Sequence, residues 1–333
     1  MTPERFRTIP WVVVEKLLRK EKHLQINHSP SQAWFSIIKL VHLISPNKEK
    51  YGNLVRYISA TRVRNDPLSE EITMPSIEVL LMAKASDFEI LELAVNSVIE
   101  QSVNRVNSVI VVVPEKDLTL FEEKFSKTKA PLKIISENAL VEENLRHTIF
   151  KFRRDRYGWI LQQVIAAKWL LTTESKYTLL LDVDTVLLRK KVWVNSHGKQ
   201  LLMPTFEYNP EYYKFFEHKS DLYKQKKRSF VSHHLLVDTA IFREIFQAFW
   251  SLNLERALNE AIEFSSEFEY SPFDLKFEIY SYYLLAKYPE RVAFCKWANS
   301  AAPRDLVSAA DYQALKLKYG PQYNSISFHH YTK

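Results

Sequence analysis

Glycine is nearly missing from this chain. There are four in 333 residues, at Gly52, Gly158, Gly198 and Gly320. They stand too far apart to build G-x-G-x-x-G or G-x-x-x-x-G-K-[ST], so neither a dinucleotide fingerprint nor a P-loop is present. Cysteine is scarcer still. The single Cys295 excludes intrachain disulfides and cysteine-cluster zinc sites, and it fits a reducing compartment. Long apolar runs are also lacking. The best candidate, Trp34 to Ile44, is about half of a spanning helix and contains Lys39 and His42. No secretory signal is expected at the start, where charges flank a short Val12-Val13-Val14 run. A soluble or peripheral protein is expected, cytoplasmic or at the inner face of a membrane.

What is there supports an ordinary folded core, with 46% of residues hydrophobic. The charge is unevenly spread. Residues 1–70 carry 12 Lys and Arg against 6 Asp and Glu, so +6 of the chain's +7 lies there. That segment reads as helices broken at Ser29-Pro30, Ser45-Pro46-Asn47 and Asn65-Asp66-Pro67. It is expected to be a basic helical extension, with residues 71–333 forming the main domain. Such an extension fits a solvated cap, or contact with an anionic membrane face or a partner enzyme. No nucleic-acid motif accompanies the charge.

From the tract Asp66 to Pro75 onward, strand and helix patterns alternate. Ile77–Ala83, Val109–Val113, Leu132–Ile135 and Tyr177–Leu181 read as strands. Asp87–Gln101, Leu118–Phe125 and Trp159–Leu171 read as helices. This alternation predicts an α/β fold with a mostly parallel, Rossmann-type sheet flanked by helices. The second half is less regular. Helices are expected over Thr239–Trp250 and Asp274–Tyr288, and a last strand over Ser325–Tyr331.

Ligands of such sheets bind at the carboxyl ends of the strands. At one such end stands Asp182-Val183-Asp184. Strand alternation would turn both acids to one side, where they can hold a hard divalent cation whose remaining ligands are substrate phosphates. A strand end followed by a polar turn reads the same way. Lys84 follows the first strand and can meet a nucleotide there, or be solvated. Gln162 and Gln163 open a helix, where one amide can bind ligand or orient an aspartate. His233 and His234 are adjacent, so strand geometry sends them to opposite faces. Glu267 and Glu269 lie among aromatics, where burial would make a carboxylate a better base. His329 and His330 sit in an aromatic, strand-like tail that offers either a third metal ligand, for which His330 is taken, or plain packing.

Four segments occur in this order: GWILQQ at 158–163, YTLLLDVDTVLLR at 177–189, SFVSHHLLVD at 229–238 and FSSEFEYSPFDLKFEIYSYYLLAKYPER at 264–291. Together they resemble a bacterial glycosyltransferase family of the GT-A type, DUF6492. The resemblance spans roughly 76–331. One departure is Ala166 where the family suggests a lysine, with Lys168 two residues on. The resemblance implies a GT-A-like fold, a nucleotide-sugar donor, Mn²⁺ or Mg²⁺, and a glycan or lipid-linked acceptor in surface polysaccharide or lipopolysaccharide assembly. On this reading Asp184, assisted by Asp182, holds the metal with His330. Lys84 and Gln163 contact the donor, Glu267 or Glu269 is the base, and His233 positions a substrate. Two alternatives stand beside it. One is a glycoside hydrolase using paired acids such as Asp184 and Glu267. The other is a non-catalytic binding or scaffold protein.

Overall fold

The computed structural model describes residues 74–205, 211–221, 229–265, 277–295, 297–309 and 311–329. The basic extension 1–70 lies outside the described residues, as do Glu267, Glu269 and His330.

The elements run β1 (Ile77–Met82), α1 (Phe88–Gln101), β2 (Val106–Val113), α2 (Leu118–Phe125), β3 (Leu132–Ser136), α3 (Glu143–Phe152), α4 (Tyr157–Thr172) and β4 (Tyr177–Leu181). There follow β5 (Thr185–Leu187), β6 (Gln200–Leu202), α5 (Glu211–Lys219), β7 (His234–Asp238), α6 (Thr239–Trp250) and α7 (Leu254–Ser265). The described chain closes with α8 (Phe277–Lys287), β8 (Val292–Phe294), β9 (Asn299–Pro303), α9 (Tyr312–Tyr319) and β10 (Ser325–His329).

The main sheet has the order β3-β2-β1-β4-β7. Its first four strands are parallel and β7 closes it antiparallel to β4. A mostly parallel sheet flanked by helices is thus observed. The apolar runs in β1, β2 and β4 follow from burial of both faces. Leu80, Ile110 and Leu180 pack toward α4, α6 and α8. Val79, Leu81, Val111 and Leu179 pack toward α1 and α2. The one acid inside β1, Glu78, accepts hydrogen bonds from Trp169 Nε1 at 2.7 Å and from the hydroxyls of Thr173 and Thr178. A buried carboxylate persists in a strand only when its lone pairs are satisfied in this way.

A second sheet, β5-β10-β9, carries the end of the described chain. β10 is antiparallel to β5 and parallel to β9. Ile326 and Phe328 face a small core with Ile90 and Val186. Period-2 alternation therefore turns Ser325, Ser327 and His329 to the other side. Among the described residues no helix is long and apolar enough to cross a membrane.

Candidate active site

The order of the main sheet reverses between β1 and β4: the chain moves outward to β3, then returns to the far side of β1. A crevice is expected outside the carboxyl ends at such a switch. A cavity of about 440 Å³ lies there, reached by Met82 at the end of β1 and by Leu181, Asp182, Val183 and Asp184 at the end of β4.

The two acids sit just past the strand. β4 ends at Leu181, and Thr185 N–H donates to Asp182 C=O at 3.0 Å, which closes a turn over 182–185. Both acids therefore face the cavity from a turn rather than from alternate positions of a strand. Asp182 N–H extends the β4–β7 pairing by donating to His233 C=O at 2.9 Å, while Phe328 N–H donates to Asp184 C=O at 2.8 Å. Both acids are thus pinned through their backbones.

His233 has φ of 62°, a left-handed backbone that a non-glycine residue holds at a cost of order 1 kcal/mol. This turn precedes β7, which starts at His234. It brings His233 Nδ1 to 3.3 Å from Asp182 Oδ2. From a separate part of the chain, β10 brings His329 Nδ1 to 3.1 Å from Asp184 Oδ2. Both carboxylates keep part of their surface open, with side chains 33% and 23% exposed. A cation or substrate can therefore reach them. Among the described residues no cluster of three His, Cys, Asp or Glu is arranged to hold a metal. The donor set fits a cation carried by one or two carboxylates and completed by a ligand's phosphates.

His234 does different work. It is fully buried, with Trp193 and Trp297 each edge-on at 5.2 Å. Burial first, and then the Lys191 charge, push its pKa down to about 3. It is a neutral core histidine at neutral pH.

Further lining comes from α4 and the 3-10 turn just before it: Arg156 from the turn, Trp159, Gln162 and Gln163 from the helix, with Val231 and Phe277 adding apolar surface. Gln163 is only 2% exposed, and its Oε1 has no hydrogen-bond partner among the described residues. Lys84 is exposed and does not line the cavity; its backbone N–H caps onto Asp87 Oδ2 at 3.0 Å. Lys168 lies away from the cavity and pairs with Glu142 at 3.3 Å. Of the expected set, the structure gathers Asp182, Asp184, His233 and Gln163. It adds His329, Arg156 and Trp159. The alternation of Ile326 and Phe328 was a usable sign that His329 faces away from the core. Nothing in the pattern marked Arg156.

A doubly wound α/β domain with an acid–histidine cleft at its switch point is the class these observations define. Residues 77–299 match DUF6492, described as a family of unknown function, and the chain belongs to that family. No curated protein matches it. The fold is similar to mouse xyloside xylosyltransferase 1 in its apo form, at 12% identity, TM-score 0.42, covering 78% of this chain and 99% of that one. It is similar to the mannosyltransferase Ktr4p of S. cerevisiae at 10% identity, TM-score 0.41, over 66% of this chain and 72% of that one. It is also similar to the WbbM bifunctional glycosyltransferase at 11% identity, TM-score 0.40, over 81% of this chain and 47% of that one. Identities and scores this low leave the function to be argued from the cleft itself.

Proposed function

We propose that the chain is a metal-dependent glycosyltransferase that moves a sugar from a nucleotide-sugar donor to a glycan or lipid-linked acceptor. The observation that carries this reading is the Asp182–Asp184 turn at the switch point, open to the cavity and braced by one histidine on each acid. A bound Mn²⁺ or Mg²⁺ would supply Lewis-acid neutralisation of a departing diphosphate. Asp184 and Asp182 would hold it, with His329 in reach of Asp184 and His330 the next residue along. Arg156, in the same cavity lining, offers a second positive group to phosphate. His233 orients Asp182 and with it one edge of the ligand.

An inverting transfer needs a base to take the acceptor hydroxyl's proton, and Glu267 or Glu269 is assigned that role. Their segment joins α8, whose first residue Phe277 already lines the cavity. A retaining transfer would use neither as base. The acceptor belongs to surface polysaccharide or lipopolysaccharide assembly on this reading, and residues 1–70 make peripheral contact with a membrane or partner enzyme.

The test is a panel of UDP-, GDP-, CMP- and dTDP-sugars with Mn²⁺ or Mg²⁺, read by thermal shift and by sugar release or transfer. A ligand that stabilises only with the metal present supports the reading, since binding to the native state raises stability by RT ln(1 + [L]/Kd). Sugar release from glycosides with no nucleotide present would favour a hydrolase instead. No response to any nucleotide would overturn the proposal.

A further inference from the structure

Gln163 stands where an apolar residue would pack best. Its helical neighbours Ile160, Val164 and Ala167 are all buried in the main core, and Gln163 itself is 2% exposed. Gln163 lines the cavity, and its Oε1 is buried beside it without a hydrogen-bond partner among the described residues. An unsatisfied buried acceptor costs stability, whereas an apolar side chain of the same shape at that place costs little. The polar group is explained if a ligand completes it with a donor.

The sheet order says which part of a ligand that is. β1, β2 and β3, with α1 and α2 between them, form the βαβαβ half that binds mononucleotides in doubly wound folds. α4 comes after that half in the chain and leads into β4, the strand that delivers the two acids. The lining that this cavity shares with Gln163 includes Trp159, Val231 and Phe277, surfaces suited to the apolar face of a hexose ring. We propose that Gln163 is the specificity residue for the transferred sugar: its side-chain amide turns so that Oε1 meets the cavity and accepts a hydrogen bond from one ring hydroxyl of the donor hexose, and it makes no contact with the nucleotide. This rests on the transferase reading above and assigns the sugar end of the same cavity.

The experiment uses the full chain with Mn²⁺. Thermal shifts and titrations are measured for nucleoside diphosphates alone and for their hexose conjugates, on wild type and Gln163→Met. Methionine keeps the volume and removes the acceptor. The ligand-free variant is expected to melt above wild type. The nucleotide-alone response is expected to be equal in both proteins. The affinity gained by adding the hexose should fall roughly ten- to hundredfold in the variant. A set of monodeoxy-hexose conjugates tested on wild type should reproduce that loss at one ring position, so the outcome does not depend on the variant folding. A variant that keeps the full hexose gain overturns the assignment, as does one that loses nucleotide binding together with it. Equal affinity of wild type for every deoxy conjugate also overturns it. Those results leave the transferase reading standing, whereas a wild-type chain that answers to no nucleotide or conjugate removes both.

Discussion

His233 and His329 face each other with ring centroids 5.1 Å apart, each tied to a different aspartate of one short turn. The two rings come from separate parts of the fold: His233 from the loop before β7, His329 from the end of β10. Neither acid can swing freely, because each is held by its own imidazole and by a backbone hydrogen bond. A carboxylate pair fixed in this way keeps its charge aimed at the cavity, which is what preorganised electrostatic stabilisation requires.

Asp184→Asn keeps the size of the side chain and removes its charge. Metal-dependent turnover should fall about a hundredfold or more, while the far-ultraviolet circular dichroism stays that of wild type. Full turnover in this variant would remove Asp184 from the metal.

His329→Gln is expected to act through the cation. The Mn²⁺ concentration giving half-maximal rate should rise about tenfold or more. A histidine that only packs would lower the melting temperature and leave the metal curve where it was, so the two readouts separate the roles.

His234 makes stability depend on pH. Its pKa is pushed down to about 3 in the folded chain, against an ordinary value near 6.5 when unfolded. The unfolded state therefore takes up a proton that the native state refuses. The contribution is fully present above about pH 6.5 and is lost as pH falls from there toward 3, by up to ~1.4 kcal/mol per pH unit. Urea unfolding of wild type and His234→Leu at several pH values checks this. The variant should show a slope shallower by up to about one proton, and equal slopes would mean that His234 titrates normally.

Arg291 Nη2 lies 2.5 Å from Asp238 Oδ2, and the Asp238 side chain is 2% exposed. Asp238 also caps α6, accepting from the N–H groups of Ala240 and Ile241. Arg291→Met takes away the guanidinium partner of Asp238 Oδ2 and leaves the helix N–H groups on Oδ1, for a loss of about 1.5–3 kcal/mol. The unfolding midpoint reads it, and a midpoint unchanged from wild type would show that Asp238 is satisfied without Arg291.

Cys295 is 6% exposed, with its Sγ 2.7 Å from the buried Lys191 Nζ. Ellman's reagent should label the native chain slowly and the denatured chain at one thiol per molecule. Rapid labelling of the native protein would mean that this part of the core opens readily.

β1, β2 and β4 were legible because both their faces are covered along most of their length, which leaves apolar runs such as Leu179-Leu180-Leu181 before the acids. The crossovers were legible through helical periodicity: Trp159–Leu171 was expected and Tyr157–Thr172 is found. The geometry of the site was harder to read. The left-handed turn at His233 leaves no periodic trace, because one residue with positive φ has no partner in the pattern. The pairing of Asp184 with a tail histidine depends on β10 being antiparallel to β5, a contact between residues 145 positions apart. Parity within the tail would have separated His329 from His330 once Ile326 and Phe328 were assigned to a core. Arg156 was illegible for another reason: a short 3-10 turn over Arg154–Arg156 sets its direction, and four charged residues in a row, Arg153 to Arg156, look solvated from sequence.

β10 lies between β5 and β9 and latches the Asp184 backbone through Phe328. During synthesis the aspartates leave the ribosome long before that strand does. A nascent chain stalled short of residue 328 would carry both acids without the strand that braces one of them, so the Asp184 carboxylate gains its imidazole and its backbone latch only after some 145 further residues have been added. β10 belongs to the smaller sheet rather than to β3-β2-β1-β4-β7, so a break within it would undo the brace on Asp184 without removing a strand from the main sheet.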